Sequence, residues 1–101
     1  MEITINGKTY TLAFTFNSFR HMEDIDVSSF EALETKPFKM VSILSDLFFG
    51  AMNHNRKKFV NRETCDDLLE TYANDENNDI AELTANLMDM LQSTSFFKQR
   101  Q

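Results

Sequence analysis

The sequence has no tryptophan and few of the residues that signal specialised chemistry. Its 101 residues include one cysteine, one proline and two glycines. A single cysteine cannot form an internal disulfide, so the cytoplasm, a reducing compartment, is the simplest expectation. Two glycines exclude a glycine-rich phosphate loop. No apolar run reaches the roughly 20 residues that a membrane span needs, and no signal peptide is recognisable, so we predict no membrane association.

Positive charge is also scarce. The chain has 16 acidic residues against 10 Lys and Arg, for a formal charge of −6. Because Lys and Arg must neutralise backbone phosphates, we do not expect nucleic acid as a partner. The stretch from Glu63 to Asp89 contains nine acids and no Lys or Arg. It fits either a solubilising face of two helices or a surface that selects a basic partner. The basic run Arg56-Lys57-Lys58 fits either a solvated turn or an anion-binding patch. Phe59 and Val60, which follow it, are predicted to anchor this loop.

The pattern of titratable residues predicts neither catalysis nor metal binding. His21 and His54 are far apart and have no companions at metal-ligand spacing. Cys65 falls on the apolar stripe of a predicted helix, which favours a buried structural thiol over a nucleophile. The carboxylates occupy helix surface positions, where nothing drives two pKa values apart. We therefore expect a protein that is not an enzyme and has no metal or cofactor.

The most apolar stretch, residues 37–53, predicts a central helix. Apolar residues recur at helical spacing in two neighbouring stripes, so this helix has to be covered on several sides. The first stripe is Phe38, Val41, Leu44, Phe48 and Met52, and the second is Met40, Ile43, Leu47 and Ala51. Pro37 suits its first turn, and Gly50 indicates fraying or close packing near its end. The narrow polar edge is predicted to consist of Lys39, Ser42, Ser45, Asp46 and Asn53. The ten Phe and six Met predict a core of large rings and adaptable side chains.

The remaining segments are predicted around this helix. Asn6-Gly7 between β-rich arms predicts a hairpin over residues 2–14, which either packs on its own helices or pairs edge to edge with another subunit. Asn61 and Asp79 are predicted helix caps, and Ser28 with Glu31 has capping-box spacing. We predict one α+β, mostly α domain over residues 1–101, with the hairpin packed on a bundle of about four helices. The predicted helices are 17–24, 29–34, 37–53, 62–73 and 79–92, followed by a tail at 93–101. The predicted apolar stripe of the last helix is Ile80, Leu83, Leu87, Met90 and Leu91.

The order of these segments resembles the tail assembly chaperones of long-tailed, siphovirus-type bacteriophages, mainly those of Gram-positive hosts. The opening ITINGKTY, residues 3–10, looks like that family's hairpin. FTFNSFRHME, residues 14–23, is similar to its next signature, a Phe-x-Phe that enters a helix with an Arg and an acidic end. LFFGAMNH, residues 47–54, and FFK, residues 96–98, resemble its apolar helix end and its C-terminal aromatic pair.

The resemblance implies an assembly function without catalysis. Such chaperones hold the long, helical tape-measure protein in solution until the tail tube polymerises around it, and are then released. This chain is therefore expected in the host cytoplasm and not in the mature virion. Many members are made in two lengths by a programmed frameshift. The resemblance thus also allows the tail tube protein and a longer form of this chain as partners, and a homo-oligomer.

Holding an apolar helix requires apolar side chains of forgiving shape. We hypothesise that the groups that contact the client or other copies include Phe48, Phe49, Met52, Phe96 and Phe97. Alanine at Phe96 and Phe97 is expected to leave the helical content unchanged and to abolish co-purification with the tape-measure protein. Two alternatives stay open: a structural tail or connector subunit of the virion, and an acidic inhibitor that mimics nucleic acid.

Overall fold

The computed structural model describes residues 1–22 and 39–94. This part of the chain forms a hairpin and four helices. They are β1 (Glu2–Ile5), β2 (Lys8–Thr11), α1 (Phe16–His21), α2 (Lys39–Met52), α3 (Arg62–Asn74) and α4 (Ile80–Ser93). The fold is α+β and mostly α, as predicted. The predicted helix at 29–34, the Ser28 capping box, Pro37 and the Phe96-Phe97 pair lie outside the described residues. None of the helices in the described ranges has the length and apolarity to cross a membrane.

The hairpin forms as its turn residues predict. Asn6 and Gly7 both have positive φ, 54° and 82°, as a type I′ turn requires. The strands pair antiparallel, with Ile5 opposite Lys8. Ile3 and Ile5 are buried, while Glu2 and Thr4, which alternate with them, face solvent. Because β1 also contacts α3, the hairpin packs on the helices of its own chain.

Helix α1 is held against the end of α2. Thr15 caps α1, and its side chain and that of Ser18 form a reciprocal capping box. Helix α1 therefore begins at Phe16, one residue before the predicted start at Asn17. A β-carbon at Gly50 would overlap the sulfur of Met22. Glycine at position 50 therefore permits close packing of the segment after α1 on α2.

Helix α2 is the centre of the core, in contact with α1, α3 and α4. Its buried face combines parts of both predicted stripes. Ile43, Leu44, Leu47, Phe48 and Ala51 are all buried. Val41, predicted on the same stripe as Leu44, is 61% exposed. The helix is thus covered over a broad face, and an apolar residue of its first turn is left at the surface.

Among the described residues, the centre of the core is mainly aliphatic, whereas the sequence predicted a core of large rings. Leu and Ile side chains dominate the buried set. Of the six Phe within the described ranges, Phe14 and Phe48 are buried, whereas Phe16 and Phe59 are 71% and 63% exposed. Aliphatic side chains fill the space between the helices, and most of the described aromatic rings lie at the edge of the core.

The predicted caps of α3 and α4 are confirmed. The Asn61 side chain accepts a hydrogen bond from the Thr64 amide at 2.8 Å. The Asp79 carboxylate accepts from the amides of Ala81 and Glu82. Asn53, predicted on the polar edge of α2, is instead completely buried. It lies just beyond the last residue of α2, where its side chain bonds to the backbone of the next loop.

Candidate partner-binding site

An apolar groove opens between α2 and α3, beside the first turn of α4. Its volume is about 570 Å³. Val41 of α2 and Ile80 of α4 expose apolar surface in this groove. Val41 is 61% exposed, and Ile80 is half-buried. The apolar lining is Val41, Leu44, Leu69, Ala73 and Ile80. A concave apolar surface of this size can accept apolar side chains of another chain.

The rim of this groove is polar and ties α2 to α3. The Ser45 hydroxyl donates to the Asp66 carboxylate at 2.6 Å. Arg62 forms an ion pair with Asp46 and donates to the Ser45 carbonyl. Glu70 also lies on the rim. The groove therefore joins an apolar floor to a mainly acidic edge.

A cluster of three rings lies near the C-terminal end of α2. The His21 ring lies 5.7 Å from the Phe49 ring and 5.3 Å from the Phe59 ring, centroid to centroid. Phe49 and Phe59 meet edge to face at 6.1 Å. The Arg62 guanidinium lies 5.0 Å above the centre of the Phe49 ring. Since Arg62 also lines the groove, Phe49 connects the aromatic cluster to the groove rim.

The predicted contact residues fall into three groups. Phe48 is completely buried, so in this conformation its ring belongs to the core and offers no surface to a partner. Phe49 and Met52 are half-buried at the edge of the core, where part of each side chain is accessible. Phe96 and Phe97 lie outside the described residues, and their role stays a prediction.

Sequence reasoning missed Val41, Ile80 and Phe59 as surface groups. Periodicity assigned Val41 and Ile80 to buried stripes, because both are spaced correctly for a helix face. Phe59 was predicted to anchor the loop after α2 together with Val60. The anchor is Val60, bonded to Asn53, while the Phe59 ring is 63% exposed. A lone Phe inside a polar, basic loop was the signal that could have indicated an exposed ring.

The basic loop and α1 form two adjoining concavities of about 470 and 400 Å³. Asn17, Arg20 and Arg56 line both. The first also contains His21, Asn55, Lys58 and Phe59, and the second Thr15, Phe16 and His54. The sequence placed Arg20 and the cluster at residues 56–58 in separate segments, and the tertiary structure brings them together.

The thiol of Cys65 is shielded from solvent. Cys65 is completely buried, and its pKa is raised to about 11 by burial and, secondarily, by the negative charge of Asp66. The thiol therefore stays protonated at neutral pH. The pKa of Tyr72 is also raised, by burial and then by Glu82 and two aspartates. Within residues 1–22 and 39–94, no group of three His, Cys, Asp or Glu is placed to hold a metal ion.

Comparison with protein families places the chain within one of them. The model of a family described as a domain of unknown function (DUF5055) covers residues 1–99. Neither the curated proteins nor the solved structures gave a match.

Proposed function

We propose, from the premise that this chain belongs to the DUF5055 family, that it acts as a phage tail assembly chaperone. In this role it binds the tape-measure protein in the host cytoplasm, keeps it soluble while the tail tube assembles, and is released before the virion is complete. The proposal joins the resemblance of the sequence to that group of chaperones with the apolar groove between α2 and α3.

The groove is the observation that carries this proposal. Val41, Ala73 and Ile80 come from three different helices and present apolar surface to one concavity. An amphipathic helix can place side chains at i, i+3, i+4 and i+7 into such a groove. Burial of apolar surface contributes roughly 25 cal/mol per Å², so a short contact gives modest affinity. Many copies along one long client would bind through avidity and still exchange.

The acidic rim suits the same role. Asp46, Asp66 and Glu70 surround the apolar floor and keep an otherwise adhesive surface hydrated. They also favour a client helix whose apolar stripe is flanked by Lys or Arg. The half-buried Phe49 and Met52 lie toward the other end of α2, where adaptable side chains can extend the contact.

Co-expression with the tape-measure protein encoded in the same phage genome tests the proposal. Wild-type protein is expected to keep the tape-measure protein soluble and to co-purify with it. Val41→Asp places a charge in the groove at an exposed position and is expected to abolish co-purification. Ala85→Asp, at an exposed position of α4 that does not line the groove, adds the same charge and is expected to have no effect.

The outcomes separate the function from the site. No co-purification of the wild-type protein would overturn the chaperone proposal. Full binding by the folded Val41→Asp variant would place the client elsewhere. Circular dichroism of both variants shows whether each folds, and alanine at Phe49 and Met52 then tests the second part of the surface.

The hairpin favours a second candidate, a structural tail or connector subunit. In the part of the chain that the structure describes, β1 pairs with β2 alone, so each strand has an outer edge that a neighbouring subunit could extend. Mass spectrometry of purified virions distinguishes the candidates. A released chaperone is absent from the particles, and a connector is present in a fixed copy number.

A further inference from the structure

A basic and aromatic surface lies on the other side of the Phe49 ring from the apolar groove. It consists of Arg20 and His21 at the end of α1, Arg56, Lys57 and Lys58 in the loop after α2, and the exposed rings of Phe16 and Phe59. We call it the basic surface. None of its residues lines the groove between α2 and α3. It is therefore a second candidate site that shares no residue with the proposed client surface, and the Phe49 ring, which contacts His21 and Phe59, lies between the two.

Two hydrogen bonds from side chains to the backbone build this surface from two distant parts of the chain. The Thr15 hydroxyl donates to the His54 carbonyl at 2.8 Å, and the Asn17 side-chain amide donates to the Asn53 carbonyl at 2.8 Å. Both bonds join the start of α1 to the loop that follows α2. Arg20 and Arg56 consequently line the same two concavities. Because these hydrogen bonds hold the two segments together, the fold determines where the cations lie. This favours an anion-binding patch over a solvated turn.

The charges of this surface are not used within the described structure. Within residues 1–22 and 39–94 there is one ion pair, between Arg62 and Asp46. Among these described residues, Arg20, Arg56 and Lys58 have no acidic partner, and none of the described residues that line the two concavities is acidic. On a chain of net charge −6, a positive surface of this kind attracts an anion locally, while the remaining surface repels extended polyanions.

We propose that the basic surface binds an acidic peptide segment of a partner protein. Arginine pairs with carboxylates through two parallel hydrogen bonds, and Arg20 and Arg56 between the two concavities suit carboxylates spaced along an extended chain. Phe59 on the first concavity and Phe16 on the second offer apolar contact at either end. The partner segment therefore combines Asp or Glu with at least one apolar side chain. Arg and aromatic residues are also the groups that contribute most to protein interfaces.

The test uses the full chain and a fluorescein-labelled peptide of about ten Glu and Asp residues with one Phe near each end. Such a peptide is long enough to extend over both concavities. Fluorescence anisotropy at low salt is expected to show saturable binding that weakens as salt is added. Arg56→Glu is expected to reduce the affinity about tenfold or more, because a charge-assisted pair becomes a repulsion. Lys8→Glu, on the hairpin and outside both concavities, changes the net charge equally and is expected to leave the affinity within about twofold.

Three results would overturn the proposal. The first is no binding of the acidic peptide, or equal binding of a peptide with Gln and Asn in place of Glu and Asp. The second is the same loss of affinity in Lys8→Glu as in Arg56→Glu, which would show unspecific attraction. The third is displacement of the peptide by an equal concentration of single-stranded oligonucleotide, which would assign the surface to nucleic acid. Should Arg56→Glu fail to fold, Lys58→Glu repeats the comparison at another exposed cation of the first concavity.

Discussion

Asn53 and Val60 are joined by two hydrogen bonds that close the loop after α2. The Asn53 side-chain amide donates to the Val60 carbonyl at 2.9 Å, and the Val60 amide donates to the Asn53 side-chain oxygen at 2.8 Å. The same amide group also donates to the Phe49 carbonyl at 2.8 Å. Asn53 is completely buried, so one side chain satisfies three backbone groups. These three hydrogen bonds hold in place the loop that carries Arg56 and Phe59.

Asn53→Ala is therefore expected to lower the free energy of unfolding by about 2–3 kcal/mol, because it leaves the Val60 amide without its acceptor and opens a small cavity. Urea denaturation measures this change. Asn55→Ala, in the same loop but exposed, is the control and is expected to cost less than about 1 kcal/mol. Equal losses of unfolding free energy in the two variants would show that the hydrogen bonds of the buried Asn53 side chain do not stabilise the loop.

Gly7→Ala is expected to destabilise the hairpin through the backbone alone. Gly7 has a φ of +82°, and a β-carbon there would meet nothing within 4 Å. The cost is thus conformational, about 1 kcal/mol, without a steric clash. Thermal unfolding is the measurement. Asn6→Gly, at the neighbouring position of positive φ, is expected to change stability by less than about 0.5 kcal/mol. A neutral Gly7→Ala would contradict the turn geometry.

Asp79→Ala is expected to destabilise α4 by about 1 kcal/mol, because the carboxylate caps the helix. Its oxygen accepts from the Ala81 amide at 2.9 Å. Asp79→Asn keeps an acceptor of the same shape and loses only the charge at the positive end of the helix dipole, worth about 0.3–1 kcal/mol. Chemical denaturation of the two variants separates the cap from the charge. If Asp79→Asn costs as much as Asp79→Ala, the charge dominates.

Cys65 is expected to make the fold sensitive to alkali. Its pKa rises from the usual 9.0 to about 11, with burial as the main cause and the charge of Asp66 as the second, while Arg62 opposes both. The folded state favours the neutral thiol, so this stabilisation is complete below pH 9 and is lost as the pH rises toward 11. The loss amounts to about 2–3 kcal/mol.

Denaturation curves from about pH 8 to 11 check this expectation. The wild-type protein should lose more stability than Cys65→Ala over this range. Tyr72, whose pKa is raised in the same direction, is present in both proteins and cancels in the comparison. Parallel curves would show that the thiol does not titrate differently in the folded and unfolded states. Slow reaction of the native thiol with a disulfide reagent gives an independent measure of its burial.

Local chemistry made several elements predictable. Asn6-Gly7 defines a type I′ turn, and Asn61 and Asp79 cap helices, because each acts on backbone groups within a few residues. The strongly apolar α2 was predictable as the central helix, since apolar surface on several sides requires several neighbours. The boundaries of α3 and α4 were predicted to within one residue.

The candidate surfaces were much less accessible to prediction. Periodicity states that Val41 and Phe48 can share a helix face, but the neighbouring helices decide that Phe48 is buried and Val41 is exposed. Asn53 looks like a surface residue by type, and its burial depends on the return of the chain to Val60. The meeting of Arg20 with Arg56 likewise depends on contacts between residues more than 30 positions apart.

The amino-acid sequence by itself determined the fold class, the hairpin turn, the two helix caps and the acidic charge balance, because each follows from side-chain chemistry or spacing along the chain. The tertiary structure alone decided which apolar residues line a groove and which cations share a surface. Long-range packing selects one arrangement of the helices from those that the same periodicity permits, and the accessible surface of each residue is set only by that selection.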